Sequence, residues 1–207
     1  MGYLGRDSAL KVIQLAGFLG SGKTTAIIAI SRRIASDGKK VAIIVNEIGD
    51  VPVDAKIVSE YGLNVRDIGG GCICCELLVS LAYTLEELAK SHSPDYVFIE
   101  PSGVSIPSSI KNGIGFVKSF DIECGPVIVL FDGERGQEQL MDEDLGKFIR
   151  RQLAGGDIVA INKIDILQEE VVRSIEVLIK TINQNARIIR ISAKKGTGLD
   201  ELIELIA

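Results

Sequence analysis

Gly17-Phe18-Leu19-Gly20-Ser21-Gly22-Lys23-Thr24-Thr25 lies between an apolar, β-rich run at residues 12–15 and a helical pattern carrying Ile27, Ile30 and Ile34 on one face. Phosphate oxygens need several short N–H contacts at once, and glycines at 17, 20 and 22 let the backbone curl until consecutive amides face one anion. Lys23 can then reach the β- and γ-phosphates, Thr24 can offer its hydroxyl to Mg²⁺, and the following helix adds its positive N-terminal end. Strand before and helix after satisfy the context that the spacing requires. Gly20, Ser21, Gly22, Lys23, Thr24 and Thr25 are thus predicted to hold the phosphates of a nucleoside triphosphate. The structural alternative is a glycine-rich turn ahead of a core helix.

Outward from this loop, short β-rich runs alternate with helical patterns. Residues 41–45, 96–99, 127–131, 158–161 and 187–191 join 12–15 as predicted buried strands of a largely parallel sheet. Leu78, Leu81, Leu85 and Leu88 share one helical face, as do Val171, Ile175, Leu178 and Ile182, while Leu199, Leu202, Ile203 and Ile206 suit a closing helix. These stripes predict core, and the fold class expected is α/β: a P-loop NTPase whose mostly parallel central sheet has helices on both faces. The stretch from Gly103 to Gly125 resists assignment, because Ser, Pro, Gly and Lys interrupt its apolar residues. It is read as a mobile surface segment with no role assigned.

At 207 residues, 46% hydrophobic and 5% aromatic, the chain is sized for one well-buried domain, taken as residues 1–207. A formal net charge of −5 gives no general electrostatic reason to bind nucleic acid or an anionic membrane. No apolar run approaches the roughly 20 residues that a bilayer span needs, and the N-terminus lacks the order of a secretory signal. The expectation is a cytoplasmic protein, where four cysteines serve as metal ligands or reactive thiols sooner than as disulfides.

Asn162-Lys163-Ile164-Asp165 follows a predicted buried strand. There a carboxylate can accept from guanine's ring N–H and exocyclic amine together, a donor pair that adenine lacks. Lys163 can lay its aliphatic stem along the base while Asn162 braces the loop. Ser192-Ala193-Lys194, after the last strand, can present a backbone N–H to the guanine oxygen. Two loops in this order behind a phosphate loop predict GTP and GDP as the ligands; a solvated polar loop is the structural alternative.

Glu100-Pro101-Ser102-Gly103 stands at the carboxyl end of an apolar strand, where open α/β sheets bind ligands. Glu100 is placed to reach Mg²⁺ or its water, and Gly103 to let backbone approach the γ-phosphate. Loss of that phosphate would then release the segment behind it. Asn46-Glu47-Ile48-Gly49-Asp50 and Asp54 bring further carboxylates towards the same rim, Asp54 as a candidate for positioning water. Hydrolysis would rest on positioning and on charge stabilisation by Lys23, Mg²⁺ and loop amides. The sequence identifies no arginine finger, so slow turnover, accelerated by a partner or by dimerisation, is expected.

Gly69-Gly70-Gly71-Cys72-Ile73-Cys74-Cys75 crowds three of the four cysteines into four residues behind a flexible glycine run. Thiolates favour Zn²⁺ and other borderline or soft metals, and three sulfurs leave a coordination position open. Adjacent Cys74 and Cys75 need a bent backbone to share one ion, so a redox thiol pair competes with the metal reading. Cys124 is read as buried or incidental, and His92 as a surface loop residue.

Taken together and in order, the phosphate loop, Asn46-Glu47-Ile48-Gly49, Gly71-Cys72-Ile73-Cys74-Cys75, Glu100-Pro101-Ser102-Gly103 and Asn162-Lys163-Ile164-Asp165 resemble the CobW-like branch of the metallochaperone GTPases that include HypB and UreG. The resemblance implies GTP hydrolysis coupled to metal insertion or delivery, with Mg²⁺ at Thr24 and a γ-phosphate-sensing role around Glu100. It implies zinc, cobalt or nickel at Cys72, Cys74 and Cys75, with Glu47 a weaker ligand candidate. It also implies a client metalloenzyme or cofactor protein as partner, with a nucleotide- or metal-dependent homodimer as a second form of assembly. CobW-like members commonly add a C-terminal domain and often a histidine-rich tract. This chain ends soon after Ser192-Ala193-Lys194 and has a single histidine. The expectation is a GTPase domain alone. Two rival functions stay open: GTP-dependent activation of a corrinoid or other cofactor enzyme without metal transfer, and a metal- or redox-sensing binding module.

Overall fold

The computed structural model describes residues 9–45, 64–67, 76–101, 114, 117 and 121–207, and only the backbone of 64–67 and 76–79. Among the described residues, seven strands pair in one sheet: β1 (Leu10–Gly17), β2 (Val41–Val45), β3 (Asn64–Asp67), β4 (Tyr96–Glu100), β5 (Ile122–Asp132), β6 (Ile158–Asn162) and β7 (Arg187–Arg190). Their order is β3-β2-β4-β1-β5-β6-β7, and every pair is parallel. The helices are α1 (Lys23–Ser36), α2 (Glu76–Ser91), α3 (Gly136–Met141), α4 (Glu143–Ala154), α5 (Glu169–Ile182) and α6 (Leu199–Glu204), with a short 3₁₀ turn at Ile164–Ile166.

Period-two alternation in β1 divides the core. Ile13 and Leu15 face a cluster built with Ile27, Ile30 and Ile34 of α1 and Leu199 and Leu202 of α6. Val12 and Ala16 point to the opposite face, where α2 covers one half and α4 and α5 the other. A parallel sheet covered on both faces needs strands with continuous apolar runs, which explains why β6 is buried along its length and β2 and β4 at all but one end residue. Gln14 departs from this rule. It is 4% exposed, and among the described residues neither atom of its side-chain amide has a hydrogen-bond partner.

All six predicted strands are present, and one more was not foreseen. β3 carries the sequence Asn64-Val65-Arg66-Asp67, polar enough to hide an edge strand that pairs only with β2. β5 begins at Ile122, so residues 122–125, read as part of a mobile surface segment, are strand paired with β1. Cys124 lies in that strand and is exposed, which removes burial from its two readings and leaves it incidental. The buried stripe of α5 is Val172, Ile175 and Ile179, with Val171, Leu178 and Ile182 on its flanks. His92 is exposed, as a surface residue should be, beside Ser91 at the end of α2. No helix among the described residues is long and apolar enough to cross a membrane.

The consequence for function is positional. All strands run the same way, so their carboxyl ends form one rim. β1 is central, between β4 and β5. Gly17, Glu100, Asp132 and Asn162, each the last residue of its strand, therefore meet on that rim although the sequence separates them widely.

Candidate functional site

The phosphate loop leaves β1 at Gly17 and enters α1 at Lys23, with Gly22 as the N-cap in the left-handed region at φ 92°. No side chain caps α1, so its first backbone N–H groups are directed into the loop without a capping oxygen. Gly22 is required twice over: its φ suits glycine, and a Cβ there would collide with Nδ2 of Asn162. Lys23 and Glu100 are both buried behind the loop, at 6% and 4% exposure.

Thr24 donates its hydroxyl proton to Oε1 of Glu100 at 2.9 Å. This joins the start of α1 to the end of β4 and sets a hydroxyl beside a carboxylate on the floor of the loop. Two hard oxygens at the phosphate position fit a cation of the Mg²⁺ class.

Asn162 is 3% exposed and ties three segments together. Its Nδ2 donates to the Ser21 carbonyl at 2.8 Å, and its Oδ1 accepts from the Ala193 N–H at 2.9 Å. Phosphate loop, Asn162-Lys163-Ile164-Asp165 and Ser192-Ala193-Lys194 are thereby fastened to one side chain. Lys163 adopts a left-handed conformation at φ 68° and extends back to the end of β5, where Nζ meets Asp132 Oδ2 at 2.9 Å and Glu134 Oε2 at 3.2 Å. Asp165 sits on the 3₁₀ turn and is exposed. A hydrogen bond from Ser192 holds its carboxyl below the ordinary aspartate value, with Lys195 and Lys194 adding favourable charge. Gly22, Thr25, Asn162, Lys163, Asp165 and Ala193 border an open pocket of about 450 Å³.

The outer wall is braced from behind. Arg190, the last residue of β7, grips Glu176 of α5 through Nε at 2.7 Å and Nη2 at 2.8 Å, and meets Glu169 through Nη1 at 2.9 Å. This ion cluster fixes the strand end from which Ser192-Ala193-Lys194 departs to the helix that follows the 3₁₀ turn.

The structure brings Gly20, Ser21, Gly22, Lys23, Thr24, Thr25, Glu100, Asn162, Lys163, Asp165, Ser192, Ala193 and Lys194 to this one rim. Glu47, Asp54, Cys72, Cys74, Cys75 and Gly103 lie outside the described residues. Among the described residues, no group of three or more His, Cys, Asp and Glu side chains is placed to hold a metal ion. Two rim residues were not singled out from the sequence: Asp132, 3% exposed and paired with Lys163, and Arg135 in the turn behind it. The available signal was an aspartate closing the apolar run at 127–131.

A profile described as "CobW/HypB/UreG, nucleotide-binding domain" matches residues 11–190. The chain is 31% identical over 217 residues to the zinc-regulated GTPase metalloprotein activator 1 of Dictyostelium discoideum, an alignment covering 87% of this chain and 45% of that protein. It is 31% identical over 159 residues to the zinc chaperone YeiR of Escherichia coli K12, covering 73% and 45% respectively. The chain thus spans about half the length of the curated relatives it matches. Among solved structures, the hydrogenase maturation factor HypB from Archaeoglobus fulgidus superposes with a TM-score of 0.67 at 22% identity, covering 94% of this chain and 87% of that one. The Zn(II)-bound YjiA GTPase from E. coli gives 0.61 at 23% identity, covering 87% and 57%. These two likenesses speak for the fold.

Proposed function

Since the chain belongs to the CobW/HypB/UreG family, we propose that it binds and hydrolyses GTP and couples its nucleotide state to the binding and delivery of a transition metal, zinc foremost, to a client metalloenzyme. The observation that carries the nucleotide half is the double hydrogen bond of Asn162, to Ser21 on the phosphate loop and to Ala193 on the base-side loop. A buried amide that spans both loops makes base and phosphates parts of one cradle. Asp165 supplies the carboxylate that accepts guanine's paired donors, and the hydrogen bond from Ser192 favours its ionised form.

Thr24 and Glu100 are the residues that would hold Mg²⁺, which when bound supplies positive charge to the β- and γ-phosphates. Lys23 and the uncapped amides of α1 orient the triphosphate and meet the charge that develops on it. The metal half rests on the cysteine run and on the relatives' names, two of which denote a zinc-regulated GTPase and a zinc chaperone. Cys72, Cys74 and Cys75 are the proposed ligands, with Glu47 as a further candidate.

GTP turnover with and without stoichiometric Zn²⁺, in the wild type and in a Cys72/Cys74/Cys75→Ser triple variant, tests this reading. Zinc should change the wild-type rate and leave the triple variant's rate unaltered. A zinc effect that survives the triple substitution would place the metal site elsewhere.

A further inference from the structure

Gly20 of the phosphate loop has φ 79°, and a Cβ built on it would lie 2.6 Å from Nη2 of Arg135. The guanidinium therefore rests directly on the loop. It gets there from the turn after β5. Asp132 Oδ1 accepts from the N–H of Glu134 at 3.0 Å and of Arg135 at 3.3 Å, which folds the turn back over the strand end. Nε of Arg135 then lies 3.7 Å from Asp132 Oδ2, and Nη2 is left turned to Gly20.

Asp132 is a weak holder of this arginine. Its Oδ2 already faces Lys163 Nζ at 2.9 Å, closer than Arg135 comes. The Asp132 side chain is 2% exposed and the Arg135 side chain 55% exposed, so the carboxylate is a buried anchor and the guanidinium reaches solvent beside the loop. A phosphate oxygen offers a guanidinium a shorter, charge-assisted and bidentate contact than a carboxylate 3.7 Å away.

We infer that Arg135 is a further cationic group for the nucleotide's polyphosphate, supplied by the same chain and directed at the charge that builds between the β- and γ-phosphates. The inference rests on the GTPase reading above. In hydrolysis water bonds to the γ-phosphorus as the bond to the β–γ bridging oxygen breaks. GDP leaves with that electron pair; one water proton stays on the released phosphate and the other goes to solvent. Negative charge thus grows on the β-phosphate side, which the loop containing Gly20 wraps. A guanidinium already seated on Gly20 stands beside that charge, and its effect should be larger on the rate than on binding of the unreacted triphosphate.

The test compares single-turnover GTP hydrolysis and affinity for a fluorescent non-hydrolysable GTP analogue in the wild type, Arg135→Ala and Arg135→Lys. Arg135→Ala should hydrolyse roughly tenfold or more slowly while holding the GTP analogue within about threefold, with Arg135→Lys between the two. Added guanidinium ion in the low millimolar range should restore part of the Ala variant's rate. A wild-type rate in Arg135→Ala, or a loss of GTP-analogue affinity as large as the loss of rate, overturns the assignment. Absence of turnover in the wild type overturns the GTPase reading and this inference with it, whereas wild-type turnover that ignores Arg135 overturns Arg135's role alone.

Discussion

Nδ2 of Asn162 donates to the Ser21 carbonyl at 2.8 Å, and this bond joins the end of β6 to the phosphate loop behind β1. Both groups are buried, so removing the donor leaves a carbonyl without its partner, and the Ala193 N–H loses its acceptor at the same stroke. Asn162→Ala should weaken GDP and GTP binding together by about 1–3 kcal/mol, on the order of 5- to 150-fold, and lower stability as well. Fluorescent-nucleotide titration reads the first and thermal melting the second. Undiminished affinity would mean that the two loops do not depend on this link.

Base choice is expected to follow Asp165. Its carboxylate accepts from two guanine donors, and an amide at the same place offers one donor and one acceptor. Asp165→Asn should therefore lose GTP affinity by at least about tenfold and gain affinity for xanthosine triphosphate, whose exocyclic position carries an oxygen. Competition between the two nucleotides is the direct measurement; an unchanged preference would remove Asp165 from base reading.

Acid stability should depend on the same wall of the site. Asp165 is held below its ordinary pKa by Ser192, Glu169 by Arg173 and then Arg190, and Glu176 by Arg190. A carboxyl whose folded value is lowered binds protons more readily in the unfolded chain. Its stabilisation is complete above the ordinary carboxylate value and fades as pH falls through the folded one. These groups contribute no slope between about pH 6 and 8 and a falling midpoint below about pH 5. Arg190→Gln should flatten that acid limb, and a limb of unaltered steepness would contradict the ion cluster's part in it.

The buried amide of Gln14 is a cost that a methionine would not carry. Gln14→Met keeps the volume and removes two polar atoms that lack partners among the described residues, so the variant should gain about 1–3 kcal/mol and melt several degrees higher. A lower melting point would show that the amide has a partner in solution.

Much of this architecture could be read along the chain, because its signals are local. The phosphate loop announces itself by three glycines, a lysine and two threonines at fixed spacing, and the six apolar strands by β-rich runs with turn residues between them. β3 escaped because Asn64, Arg66 and Asp67 break the apolar run that marks the other strands. Asp132 and Arg135 escaped for another reason. Their meaning arises from neighbours across the sheet, Lys163 on β6's loop and Gly20 on β1's, and the order in which β1, β5 and β6 lie side by side is not written in any single window of sequence.

The central claim is that nucleotide and metal act on one another through this chain, and binding linkage must then be reciprocal. Zinc affinity measured with a competing chelator in the GDP-bound and GTP-analogue-bound protein tests it most directly. The account predicts two different zinc affinities, and a ratio matched by the factor by which zinc shifts affinity for the GTP analogue relative to GDP. Equal zinc affinities in the two nucleotide states would contradict it.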